Sequence, residues 1–135
     1  MPQHPVLDAL RASGRVSDDD IAFLLDHGRP YHGVRLPSGI RQRPPGTCFE
    51  TAHELERLGE GRRVRGFALR PGSNKPLAHA WISRNGRDAI DAVWTREPDC
   101  SYFGIPGHGH EARLRKMSRS FVNRPLFGLG LNLGF

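Results

Sequence analysis

Between Cys48 and Trp94 the spacing of apolar residues switches once, from helical to strand-like, at the turn Gly59-Glu60-Gly61. In CFETAHELERLG, residues Cys48, Phe49, Ala52, Leu55 and Leu58 fall within about half of a helical wheel, with Glu50, Glu54 and Arg57 outside that arc. The runs that follow, GRRVRGFALR, LAHAWIS (77–83) and RDAIDAVW (87–94), have strand character and are separated by the turn signals PGSNKP and RNG. Such a chain carries a helix with one inward face followed by three antiparallel strands, so the expected class is α+β.

The flanking segments fit one continuous domain over 1–135, a length that suffices for one core but not for two. PVLDALRAS reads as a short helix. Ser17 before Asp18, Asp19 and Asp20 reads as an N-cap with acidic residues favourable to the helix dipole, giving a second helix to Asp26 that stops near Gly28. Residues 1–27 are thus a helical N-terminal segment. Residues 28–47 hold four prolines and four glycines and predict a loop with at most a short extended piece leading to Cys48. YFGIPG and HGH, near residues 102–110, predict a turn-rich connection, and EARLRKMSRSF a basic helix.

Cys48, His79 and Asp91 suit a thiol nucleophile, its imidazole base and an orienting carboxylate. Thr47 is placed to cap the helix, and a thiol at a helix N-terminus feels the positive end of the macrodipole, which favours thiolate. Pairing of the last two strand runs decides whether the trio meets. A two-residue Asn85-Gly86 turn would put His79 and Asp91 on opposite faces. A three-residue loop, Arg84-Asn85-Gly86 with Gly86 left-handed, would set them directly across from each other, and that register is the one expected. It puts Trp81 on the face of His79, where it can wall a substrate site, and Trp94 on the other face as packing.

These residues resemble the core of the transglutaminase-like, papain-related superfamily, in which a helix-opening Cys is followed by a strand with HAW and another with an Asp often written DPTW. Here the match reads Cys48, His79-Ala80-Trp81 and Asp91-Ala92-Val93-Trp94, with DAVW in place of DPTW, and it covers roughly residues 42–104 as a catalytic core. The resemblance implies a Cys-bearing helix packed on an antiparallel sheet and thiol acyl-transfer chemistry through a Cys-His-Asp triad. Gln42, six residues before Cys48, has the offset of the papain-like glutamine and is the side-chain candidate for stabilising an oxyanion, beside the Cys48 backbone N–H.

Other constellations compete. His53 lies about 140° around the helix from Cys48 and cannot easily serve it. His32 is expected to face solvent or substrate. Asp99, Cys100, His108 and His110 offer N, O and S ligands but match no strong zinc spacing, so no metal or other cofactor is expected.

A formal charge of +6, carried almost wholly by arginine, predicts attraction to an acidic partner; nucleic acid is the weaker expectation because the basic groups lack interleaved stacking aromatics. No run reaches a membrane span, the N-terminus lacks a Sec-type signal, and two distant cysteines suit a reducing compartment, so a cytoplasmic location is expected, with specialised secretion left open. The apolar tail 125–135, RPLFGLGLNLGF in context, is expected to pack on the domain, fill a partner's groove or block the cleft. The leading functional expectation is a thiol hydrolase acting on amide or peptide bonds of a protein or peptide substrate. A glutamine transglutaminase or deamidase, and a non-catalytic basic domain binding an acidic protein or nucleic acid, are the alternatives.

Overall fold

The computed structural model describes residues 4–94 and 99–121. The expected tail at 125–135 lies outside the described residues. The first two helices are set by their ends. Pro5 opens α1 (Pro5–Ser13) beneath a His4 side-chain cap, and Gly14 closes it at φ 69°. In α2 (Asp18–His27), Ser17 Oγ accepts from the Asp20 N–H while the Asp20 carboxylate takes the Ser17 N–H, a reciprocal capping box. Two further helices are α3 (Cys48–Arg57) and α4 (Glu111–Ser118).

Five strands form one sheet: β1 (Arg29–Gly33), β2 (Arg62–Leu69), β3 (Leu77–Ser83), β4 (Asp88–Ala89) and β5 (Ser101–Pro106), in the spatial order β3-β2-β5-β1-β4. All neighbours are antiparallel except β1 and β4. The outermost strands approach each other again through a single bridge, Ile82 to Ile90, which curls the sheet. The fold is thus mixed α+β.

Three expectations are corrected. The run 88–94 is not a third meander strand: only Asp88 and Ala89 are strand, and they pair in parallel with His32 and Gly33. Ile82 faces Ile90, where the expected register would have placed Asp88, because the Asn85 carboxamide accepts from the Arg87 and Asp88 N–H groups and widens the loop, even though Gly86 is left-handed as expected (φ 77°). Residues 101–106, expected as turns, form β5 at the centre of the sheet, because Tyr102 points to one face and Phe103 and Ile105 to the other.

One apolar cluster joins α1, α2 and α4 to Phe67, Phe103 and Ile105. A second gathers Tyr31, Cys48, Val64, Trp81, Trp94 and Tyr102. A third packs Ala52 and Leu55 of α3 on Ala80 and Ile82. On α3 the inward face is Cys48, Thr51, Ala52 and Leu55, with Phe49 half-buried; Leu58, expected inside, is 55 % exposed just past the helix end. β2 and β5 approach so closely at Gly66 that a Cβ there would lie 2.2 Å from Phe103 O.

Candidate functional site

The residue that organises the site is Asp91, which sits just beyond the Ile82–Ile90 bridge in a turn. Its Oδ1 accepts from the backbone N–H groups of Val93 (3.0 Å) and Trp94 (3.1 Å), the pattern of an Asx turn. Its Oδ2 lies 2.7 Å from His79 Nε2 and accepts from the Tyr102 hydroxyl at 2.8 Å. One carboxylate therefore takes four hydrogen bonds while only 1 % exposed. Burial alone would raise its pKa, but the His79 ring and the Trp94 and Val93 amides outweigh burial and hold it below the ordinary carboxylate value.

His79 pairs across the ladder with Gly66, not with Asp91. The two side chains meet because the Asp91 turn brings its carboxylate to the ring, so the contact inferred from an incorrect register forms by another route. The same turn puts Trp94 against the imidazole, with ring centroids 4.2 Å apart and an interplanar angle of 30°. Trp94 thus shares the His79 environment, contrary to its expected place on the other face, and Arg70 lies 4.6 Å above its ring. Trp81 stacks on His79 more loosely, at 6.3 Å, and packs edge-on against Tyr102 at 4.9 Å. Placed on the His79 face as expected, Trp81 is nonetheless only 1 % exposed.

Cys48 opens α3 and belongs to the same apolar cluster as Trp81, Trp94 and Tyr102. The backbone amides of Ala80, the residue after His79, and of Phe49 act on the thiol in favour of its charged form. The expected helix-terminus thiolate is corrected. Burial pushes the thiol well above its usual value, and the nearby Asp91 charge adds to that; the Ala80 and Phe49 amides and Arg65 offset it only in part. Thr47 does not cap either: its hydroxyl contacts Pro44 O and Thr51 Oγ1.

The structure brings Cys48, His79 and Asp91 into one buried neighbourhood. Gln42 is exposed, on the loop whose next residue, Arg43, donates its N–H to Ala92 O at 2.7 Å, beside the Asp91 turn. His32 and His53 are exposed. The four residues of the zinc alternative have separate surroundings: Asp99 is exposed, Cys100 is buried, His108 contacts Glu56 and Arg63, and the His110 ring packs at a tilt against His27, with centroids 4.2 Å apart. Among the described residues no group of three or more His, Cys, Asp or Glu side chains is arranged to hold a metal, and no helix is long and apolar enough to cross a membrane.

Two members of the site were missed in the sequence. Tyr102 was hidden in a segment punctuated by glycine and proline, although the alternation of Tyr102 with Phe103 and Ile105 was the available sign of a strand. The Ala80 amide carries no sequence signal. Comparisons of the chain with protein-family models, with curated proteins and with solved structures give no match. The geometry of these residues alone carries the functional argument.

Proposed function

We propose that this chain is a cysteine-dependent acyl-transfer enzyme of the transglutaminase-like, papain-related kind, hydrolysing amide or peptide bonds through a thioester. The observation that carries the reading is the buried His79 Nε2–Asp91 Oδ2 contact of 2.7 Å, with His79 stacked against Trp94 of the apolar cluster that also holds the helix-opening Cys48. With Nε2 committed to Asp91, proton exchange with the thiol falls to Nδ1. The thiol rests protonated, so His79 removes its proton as Sγ attacks the substrate carbonyl carbon, rather than starting from a standing thiolate. The C–N bond then breaks and the amine leaves with that proton. Water, deprotonated by the same nitrogen, cleaves the thioester to release the acid and restore the thiol. Asp91 holds the ring orientation and stabilises the imidazolium, with Tyr102 and the two turn amides holding Asp91 in turn. The Cys48 backbone N–H, in the first turn of α3 where helical N–H groups have no intrahelical acceptor, and the Gln42 carboxamide are the proposed oxyanion donors; Trp81 and Trp94 wall the acyl site.

The test is incubation of the wild type and Cys48→Ala with peptide mixtures and a glutamine-rich protein, with and without a primary alkylamine, read by mass spectrometry. Cleavage that requires Cys48 supports hydrolysis, and amine incorporation would shift the reading to transamidation. A second reading, a catalytically silent basic domain for an acidic protein or nucleic acid, is favoured by the burial and high pKa of the thiol. It predicts no product from either form and binding that is unchanged in Cys48→Ala.

A further inference from the structure

At the end of the sheet where β1 and β2 begin and β3 and β5 finish, a pocket of about 240 Å³ is lined by Arg29, Tyr31, Arg62, Ser83 and Arg84, among others. Among the described residues its charge is largely uncompensated. Arg84 is engaged by Glu60, through the backbone oxygen at 2.7 Å and the carboxylate at 3.0 Å. Arg29 and Arg62 have no carboxylate partner among the described residues.

Both guanidinium groups are seated against glycine turns. A Cβ at Gly86 would come within 3.1 Å of Arg29 Nη1, and one at Gly107 within 2.8 Å of Arg62 Nη2; both glycines have positive φ. Tyr31 adds the second observation. It is 2 % exposed, and its hydroxyl is buried with no hydrogen-bond partner among the described residues. Buried hydroxyls are rarely left without one. Arg29 and Arg62 both act electrostatically on this hydroxyl, against the burial that raises its pKa.

We propose that this pocket binds a phosphate or pyrophosphate group. Two planar guanidinium forks with no carboxylate partner among the described residues match the oxygens of a tetrahedral phosphoanion, and the Tyr31 hydroxyl supplies a further donor. A single carboxylate would neutralise only one of the two cations. The pocket is smaller than those that enclose drug-sized ligands, so it holds the phosphate group while the rest of a larger ligand projects into solvent. The site is separate from Cys48 but reaches it through rings: Tyr31 packs edge-on against Trp81 at 5.6 Å, and Trp81 stacks on His79.

The experiment titrates the full-length protein at physiological salt with inorganic phosphate, pyrophosphate and a nucleoside diphosphate, by calorimetry and by the NMR signals of the arginine side-chain N–H groups. Saturable one-to-one binding is expected, with the Arg29 and Arg62 signals shifting. Equal affinity for pyrophosphate and the nucleoside diphosphate identifies the free anion as sufficient; a gain of about tenfold or more for the nucleotide identifies the terminal group of a larger ligand. The double variant Arg29→Gln/Arg62→Gln should weaken binding at least about tenfold, Tyr31→Phe by roughly three- to tenfold, and Lys75→Gln, just before the opposite end of β3, not at all. Arg62→Lys, which keeps the charge but loses the fork, gives an intermediate loss and stands in if the double variant does not fold. No saturable binding at millimolar anion, or an equal loss in Lys75→Gln, would overturn the proposal.

Discussion

His79 Nε2 and Asp91 Oδ2 lie 2.7 Å apart, and neither side chain is more than 1 % exposed. A buried pair of this kind is held only if the remaining lone pairs of the carboxylate are also engaged, and here Tyr102 and two turn amides engage them. The arrangement makes Asp91 the residue on which both the buried pair and the proposed chemistry depend.

Asp91→Asn keeps the shape of the side chain but removes the charge that fixes the His79 tautomer. We expect a loss of kcat on the order of 10³- to 10⁴-fold in the proposed reaction, with little change in KM, measured on a substrate identified with the wild type. A variant that keeps full kcat would show that His79 works without Asp91.

Tyr102→Phe removes one hydrogen bond to the same carboxylate oxygen without opening a cavity. The expected cost is about 1–2 kcal/mol of stability by denaturant unfolding, together with a rise in the Asp91 pKa read by carboxyl NMR. An unchanged Asp91 titration would mean that the hydroxyl contributes nothing to the charged form.

Stability should fall steeply in acid. Because Asp91 is held below its ordinary value in the folded protein, the unfolded chain binds protons more readily as pH drops. The contribution is complete above the unfolded value of about 3.9 and is lost as pH falls through the lower folded value. Urea unfolding free energies measured stepwise below about pH 4 should decline more gently for Asp91→Asn than for the wild type.

Cys48 should be alkylated slowly at neutral pH. Its buried thiol is held well above the ordinary value, so iodoacetamide labelling of the native protein is expected to be at least about tenfold slower than that of free cysteine at pH 7 and to accelerate with rising pH or on unfolding. Peptide mapping separates Cys48 from Cys100, which is also buried. Rapid labelling below pH 8 would establish a resting thiolate instead.

Gly66→Ala should be severely destabilising although Gly66 is not at a positive φ. The added Cβ would meet Phe103 O at 2.2 Å and Gly104 Cα at 2.4 Å, both backbone atoms that move only if β2 and β5 separate. We expect a loss of roughly 3 kcal/mol or more by thermal or urea unfolding; a loss below about 1 kcal/mol would mean that the strands shift without harm.

Helix positions were readable because the signals are local. Pro5 and Gly14 bracket α1, Ser17 and Asp20 cap α2, and the apolar stripe of α3 is written at helical spacing. The choice of Cys48, His79 and Asp91 was likewise available from residue type, spacing and a resemblance. Other features depend on partners remote in the chain. β5 lies between β2 and β1 because Gly66 and Gly104 let two backbones approach, and no window of sequence around residue 104 contains residue 66. Asp91 reaches His79 through a turn stabilised by its own second oxygen just beyond the Ile82–Ile90 bridge, so the contact does not come from direct cross-strand pairing of the two residues. The charge state of Cys48 was also decided by the fold: a helix N-terminus favours thiolate locally, but burial among Trp81, Trp94 and Tyr102 outweighs it, because desolvation depends on everything that surrounds an atom.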